Sequence, residues 1–193
     1  MTRDAPPPAP VVGIFVGGAA RRMGGQPKGL LPAPGGAPIV ERWRALAAAV
    51  GLRCVLVGGA EPYAALGIAT VADARAGAGP LGGLVALLRA QPAPRAIAVA
   101  CDMPYVTAAL LERLAYDAPD AAVLAPERDG RFEPLFARYD CAAVLPLAER
   151  QLDSDDLSLQ KLLRLAGARP LAVSPDEWPQ LADWDEPGDL RRP

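Results

Sequence analysis

Val11-Val12-Gly13-Ile14-Phe15-Val16-Gly17-Gly18-Ala19-Ala20-Arg21-Arg22-Met23-Gly24-Gly25-Gln26-Pro27-Lys28 is the stretch on which the fold turns. Its first six residues have the length and β-branching of a buried strand. After Val16 the pattern gives way to a glycine-rich loop, Gly17 to Gly29, interrupted by Arg21, Arg22 and Lys28. Such a loop can wrap a polyphosphate: its glycines let backbone N–H groups approach anionic oxygens, and its cations balance the charge. It is not a Walker A loop, because no Gly-Lys-Ser/Thr follows. A solvated loop is the plainer alternative.

Strands and helices alternate outward from there. A helix is expected from Pro38, which suits a first turn, through Ala-rich turns to Val50. Cys54 to Val57 reads as a second strand, ended by Gly58-Gly59, and Ile68 to Val71 as a third, followed by Asp73. Pro80 to Ala90 reads as a helix. Ala96 to Cys101 reads as a buried strand that Asp102-Met103-Pro104 stops abruptly. Thr107 is placed to cap a helix through Tyr116, with Leu110, Leu111 and Leu114 on one face. Ala121 to Ala125 and Phe132 to Arg138 then read as strands joined across Asp129-Gly130, a hairpin signal. Helices over Cys141 to Gln151 and Ser158 to Ala166 and a strand over Leu171 to Val173 complete the chain. This alternation predicts an α/β fold: a mostly parallel sheet with helices on both faces and an added antiparallel hairpin. Residues 11–193 are expected to form one domain behind a disordered Pro-rich tail, residues 1–10.

Composition narrows the chemistry. The 193 residues include no histidine, which removes Ser-His-Asp and Cys-His mechanisms and histidine-ligated zinc. A formal net charge of −2 gives no basic surplus for nucleic acid. Cys54, Cys101 and Cys141 form no CxxC pair and read as small buried hydrophobes. No apolar run approaches a membrane span, and the charges around residues 11–20 lie on the wrong side for a signal peptide, so a cytoplasmic protein is expected. Lys28 and Lys161 are the only lysines among 20 cationic residues. In a chain that otherwise uses Arg, each lysine invites a specific explanation.

In a parallel sheet, ligands bind outside the carboxyl ends of the strands. Three polar features arrive there: the loop after Val16, Asp73 and Asp102. A carboxylate at the end of a buried strand, followed by Met-Pro, is poorly explained by packing and suits Mg²⁺ shared with phosphate oxygens. A turn-start Asp accepting backbone hydrogen bonds is the alternative for both Asp102 and Asp73. Gly77-Ala78-Gly79-Pro80-Leu81-Gly82 matches the dinucleotide GxGxxG pattern. However, the preceding strand ends too early for the tight turn, and Pro80 removes an N–H. Asp153-Ser154-Asp155 and Asp183-Trp184-Asp185 are possible metal motifs; a solvated loop and a packed C-terminal segment are their plainer readings.

Taken together, Phe15 to Lys28 resembles the nucleotide-binding signature of the molybdenum cofactor guanylyltransferases, within the Rossmann-like nucleotidyltransferases. Gly79-Pro80-Leu81-Gly82-Gly83, Cys101-Asp102-Met103-Pro104-Tyr105, Glu133-Pro134-Leu135-Phe136 and Trp184-Asp185-Glu186-Pro187-Gly188-Asp189-Leu190 resemble later family motifs in order. The resemblance implies a three-layer αβα fold and transfer of GMP from GTP to Mo-molybdopterin, giving the guanine dinucleotide cofactor and pyrophosphate. It implies that Phe15, Val16, Gly17 and Gly18 hold the base and ribose through their backbone. Lys28 would neutralise the phosphates, with Arg21 and Arg22 near them by sequence. Asp73 would contact the nucleotide, and Asp102 would bind Mg²⁺. A molybdoenzyme or cofactor-delivery protein would receive the product. Phe15-Val16 stands where the family usually has Leu-Ala, and Gly58 where it usually has Asn. Two rival readings are a cytidylyl- or other nucleotidyltransferase with a different acceptor, and a non-catalytic nucleotide- or cofactor-binding accessory protein.

Overall fold

The computed structural model describes residues 8–17, 27–59, 61–90 and 93–184. In chain order the elements are β1 (Val11–Phe15), α1 (Ile39–Ala49), β2 (Arg53–Val57), β3 (Thr70–Val71), α2 (Gly79–Ala90), β4 (Arg95–Ala100) and α3 (Ala108–Tyr116). They continue with β5 (Val123–Arg128), β6 (Arg131–Phe132), β7 (Phe136–Asp140), α4 (Cys141–Leu152), α5 (Leu159–Leu165) and β8 (Arg169–Leu171). The strands form one sheet ordered β3-β2-β1-β4-β7-β5-β6, with β8 also paired to β5. β3, β2, β1 and β4 are parallel, and Val11 faces Arg53 on one side and Ala96 on the other. β7 runs antiparallel to β4 and β5. Among the described residues no helix is long and apolar enough to cross a membrane.

The parallel core decides where a ligand can go. After β1 the chain lays β2 and then β3 on one side, and it returns through α2 to lay β4 on the other. The connections therefore diverge beyond the carboxyl ends of β1 and β4, and that divergence opens a crevice.

Alternation along β1 sorts the layers. Val12 and Ile14 face Ile39, Val40 and Trp43 of α1 and the leucines of α3, whereas Phe15 faces α2, α4 and α5. The α2 side is built for close approach: Gly13, Ala96, Ala98 and Ala137 present almost no side chain. A Cβ on Gly13 would fall 2.5 and 2.8 Å from the two Cδ atoms of Leu87, which is itself fully buried. Overpacking of this kind costs about 1–3 kcal/mol. Gly13→Ala is expected to lose that much in a denaturant titration.

The elements differ from the sequence reading mainly in the second half. Asp129-Gly130 does make a two-residue turn, with φ of 53° and 75°. It joins β5 to the short β6, however, pairing Glu127 with Phe132. The chain turns again at Glu133, and only then does the longer β7 begin, pairing with the start of β5 at Val123 and Leu124. The last strand spans Arg169–Leu171 rather than residues 171–173, since apolarity pointed to Leu171-Ala172-Val173. Pro170 is accommodated because β8 pairs with β5 alone, at an edge of the sheet. The third strand contracts to Thr70–Val71. Thr107 caps α3 as expected, its hydroxyl accepting from the Leu110 N–H.

A charged side chain lies inside this frame. Arg138 of β7 is fully buried. Its guanidinium donates to the carbonyls of Leu114, Ala115, Asp117 and Ala118 at 3.1, 2.9, 2.7 and 2.5 Å. Those oxygens include the carbonyls that α3 leaves unpaired at its C-terminus, so a strand residue caps a helix.

Candidate active site

The crevice is a cavity of about 790 Å³ at the carboxyl ends of β1, β2 and β4, within the usual range for small-molecule sites. Phe15, Val16, Gly17, Lys28, Asp73 and Asp102 all line it. Gly18, Arg21 and Arg22 lie outside the described residues.

Lys28 opens a short 3-10 turn, Lys28–Leu30, closed by the Leu31 N–H on the Lys28 carbonyl. Gly29 explains why the turn sits where it does. Its N–H donates to the Tyr63 hydroxyl at 3.3 Å, and a Cβ there would lie 2.5 Å from Val40 and 2.9 Å from the Tyr63 ring. From this seat the Lys28 ammonium reaches across the cavity to Asp102 Oδ2 at 2.9 Å. Both side chains are about one-fifth exposed, 21% and 19%, so both meet solvent and can meet a ligand. The special position of Lys28 among so many arginines has a physical correlate: a compact ammonium placed against a carboxylate at the head of the crevice.

Asp102 lies two residues past the end of β4, and the intervening Cys101 N–H donates to the Phe15 carbonyl at 3.2 Å. Cys101 is buried, and burial together with the neighbouring Asp102 carboxylate pushes its thiol up to about 12. At neutral pH it is a packed neutral thiol and not a nucleophile. Cys54 and Cys141 are half-buried.

Asp73 stands exposed past β3 on the far wall. Gly58, between them, has φ +98°, and a Cβ on it would lie 3.2 Å from the Gly17 N. Gly58 therefore lets the β1 loop approach the β2 loop closely, a backbone role that a side chain at this position would strain. The GxGxxG stretch resolves the same way. Residues 72–78 separate β3 from α2, so no tight strand-to-helix turn exists. Pro80 occupies the first turn of α2, where its missing N–H costs nothing. Gly82 and Gly83 serve packing: a Cβ would lie 2.9 Å from the Arg75 carbonyl at Gly82, and 2.9 Å from both Phe15 and Val57 at Gly83. Gly79 and Pro80 open the N-terminus of α2 onto the cavity, adding positive dipole potential.

A second cavity of about 580 Å³ adjoins the first, sharing Pro80 and Leu135, and is lined by Arg128, Arg131, Glu133 and Gln160 among others. Burial, reinforced by Asp183, raises the Glu133 carboxyl above its ordinary value. Asp153 and Asp155 are exposed in the turn between α4 and α5 and line neither cavity, as a solvated loop would. Trp184 is buried in the core, and Asp185 lies outside the described residues.

Sequence reasoning missed Tyr63 in the first cavity and marked Leu135 only as part of a motif, with no place in the site. Tyr63 is an isolated aromatic in a short 3-10 segment, and nothing periodic marks it. Burial pushes its hydroxyl up to about 12, so it remains protonated.

No group of three or more Asp, Glu or Cys residues that could hold a metal exists among the described residues. Among the described residues, the carboxylates lining the first cavity are Asp102 and, across it, Asp73. That donor set is too sparse for an all-protein cage. It does fit Mg²⁺, which is commonly held by one or two carboxylates plus substrate phosphates and water.

Comparison with known proteins agrees with this geometry. A molybdenum cofactor guanylyltransferase of Pseudomonas putida strain GB-1 is 32% identical over 191 residues, 95% of this chain and 96% of its own. A probable molybdenum cofactor guanylyltransferase of Opitutus terrae is 36% identical over 190 residues, 93% and 92% of the two chains. The crystal structure of molybdopterin-guanine dinucleotide biosynthesis protein A from Archaeoglobus fulgidus superposes with a TM-score of 0.77. It shares 24% identity over 93% of this chain and 94% of that one, a likeness of fold. Residues 12–173 match the family described as the MobA-like NTP transferase domain, and the chain belongs to that family of nucleotidyltransferases.

Proposed function

We propose that this chain transfers GMP from GTP to Mo-molybdopterin with Mg²⁺, forming molybdopterin guanine dinucleotide and releasing pyrophosphate. The observation that carries the proposal is the Lys28–Asp102 pair, 2.9 Å apart at the switch point of the sheet and facing a cavity of nucleotide size. Relatives named as molybdenum cofactor guanylyltransferases, similar over nearly the whole chain, support the choice of base and acceptor.

In this reading Phe15, Val16 and Gly17 receive the base and ribose along the end of β1, a role shared by Gly18, and Arg22 serves the phosphates. Asp73 contacts the nucleotide from the opposite side. Lys28 and the N-terminus of α2 hold the triphosphate. Asp102 would hold Mg²⁺, which, when bound, withdraws charge from phosphate oxygens and makes phosphorus a better electrophile. Until nucleotide arrives, Lys28 keeps the Asp102 carboxylate compensated. The adjoining cavity receives the acceptor. An oxygen of the acceptor's phosphate forms the new bond to the α-phosphorus, and the bond to the β-phosphate oxygen breaks with its electron pair leaving on pyrophosphate. A phosphate monoester is already anionic at neutral pH, so the absence of histidine is no handicap.

Pyrophosphate release from GTP, measured with and without Mo-molybdopterin, tests the proposal. Release is expected only with acceptor and Mg²⁺. A clear preference for CTP, or nucleotide binding without release, would overturn it. Lys28→Met removes a charge-assisted contact worth about 1.5–3 kcal/mol, so the KM for GTP should rise about 10- to 100-fold in the same assay.

A further inference from the structure

The loop after β4 carries Asp102, and partners from several elements hold it along its length. The Cys101 N–H is bonded to β1. The Asp102 carbonyl accepts from the Trp184 N–H at 2.9 Å. The Arg42 guanidinium on α1 spans two carbonyls, donating from Nε to Pro104 and from Nη2 to Val106, both at 2.6 Å. The Trp184 indole donates to the Tyr105 hydroxyl at 3.1 Å and meets the Tyr105 ring edge-on, with centroids 6.2 Å apart and planes at 81°. Gln180 accepts from both the N–H and the hydroxyl of Thr107.

From this geometry we infer that Trp184 and Arg42 are positioning residues, gripping the loop at separate carbonyls so that the Asp102 carboxylate faces the cavity in one orientation. The inference rests on the reading of Asp102 as the metal carboxylate. Neither residue lines the first cavity, so both act through the backbone that bears Asp102. Trp184 is only 3% exposed. Its burial anchors the segment after the Trp178–Leu181 turn and delivers the N–H that holds the Asp102 carbonyl. Arg42 acts from α1 through a planar two-donor fork that a lysine ammonium does not reproduce. A carboxylate must be held to within about 0.5 Å to serve as a metal ligand. A loop lacking α-helical or ladder hydrogen bonds needs outside partners to meet that tolerance.

The test uses the full-length protein with Mn²⁺ as the probe and its affinity in the presence of GTP measured by electron paramagnetic resonance. GTP affinity without metal is measured separately. Trp184→Ala and Arg42→Ala are each expected to weaken Mn²⁺ binding about 10-fold while leaving metal-free GTP affinity within about twofold. Trp184→Phe keeps a buried aromatic ring and the backbone N–H, losing only the indole donor to Tyr105, and should stay within about threefold of wild type. Parallel loss of metal-free GTP affinity would reveal a general structural role and overturn the proposal, as would unchanged Mn²⁺ affinity in Arg42→Ala. If Trp184→Ala does not fold, Arg42→Ala, whose side chain is partly exposed, decides the matter by itself. Asp102→Asn separates the two levels of inference. Wild-type Mn²⁺ affinity in that variant would refute the metal role of Asp102 and the positioning role with it. Lost affinity there, with normal affinity in both other variants, would refute the positioning role alone.

Discussion

Asp102→Asn is expected to lower pyrophosphate release about 10³-fold while the protein stays folded. Removing one preorganised charge from a phosphoryl-transfer site costs about 10²–10³ in rate, and here it also removes the carboxylate proposed for Mg²⁺. Asp102→Ala should abolish turnover as fully. Stability should barely respond, because the loop is held through its backbone, by Trp184, Arg42 and the Phe15 carbonyl. What is lost is a partly exposed ion pair with Lys28, so the thermal midpoint should move by only about 2–4 °C. A third consequence has the opposite sign. Without the carboxylate, Lys28 loses a countercharge 2.9 Å away, so GTP measured without metal should bind equally well or more tightly. Isothermal titration in EDTA, melting curves and the pyrophosphate assay read the three effects separately. Near-normal turnover would refute the assignment of Asp102.

Arg138→Met should produce the largest loss of stability. Methionine replaces the aliphatic stem but takes the guanidinium from the Leu114, Ala115 and Asp117 carbonyls, while Ala118 keeps the Ala121 N–H. A buried acceptor left unsatisfied costs about 1–3 kcal/mol. Allowing for water reaching some of them, at least about 3 kcal/mol should disappear in a denaturant titration. For a chain of this length that is a fall of about 6–12 °C in Tm. Arg138→Lys should recover only part, since one ammonium cannot serve carbonyls spread around the end of a helix. A loss below about 1 kcal/mol would mean that those carbonyls find solvent readily and that the buried guanidinium is dispensable. Because Arg138 lines neither cavity, GTP binding by the folded fraction should be unaffected.

These two residues show where sequence reading works. Asp102 was legible because it violates a local pattern: a carboxylate closes a six-residue apolar strand, and packing offers no reason for it. Arg138 violates its strand just as plainly, yet it was read only as a strand end. Its reason is a set of helix carbonyls about twenty positions earlier, and no local pattern reports who will need a donor. Lys28 stood out by rarity, Phe15 to Gly17 by the break from strand to glycine-rich loop. Tyr63, Arg42 and the anchoring role of Trp184 carried no such mark.

By itself the sequence determined the parallel core, both helical layers, the hairpin turn at Asp129-Gly130 and the loops that meet at the crevice. Those follow from hydrophobic period, β-branching and turn chemistry, all of which act over a few residues. Only the tertiary structure decided the strand order that puts β4 beside β1, and with it the 2.9 Å meeting of Lys28 and Asp102 across 74 positions. It also decided that β7 rather than β6 pairs with β4, that Gly58 admits Gly17, and that α3 is capped from a strand. Each of these depends on which distant surfaces bury one another, a free energy summed over the whole core and not encoded in any single stretch.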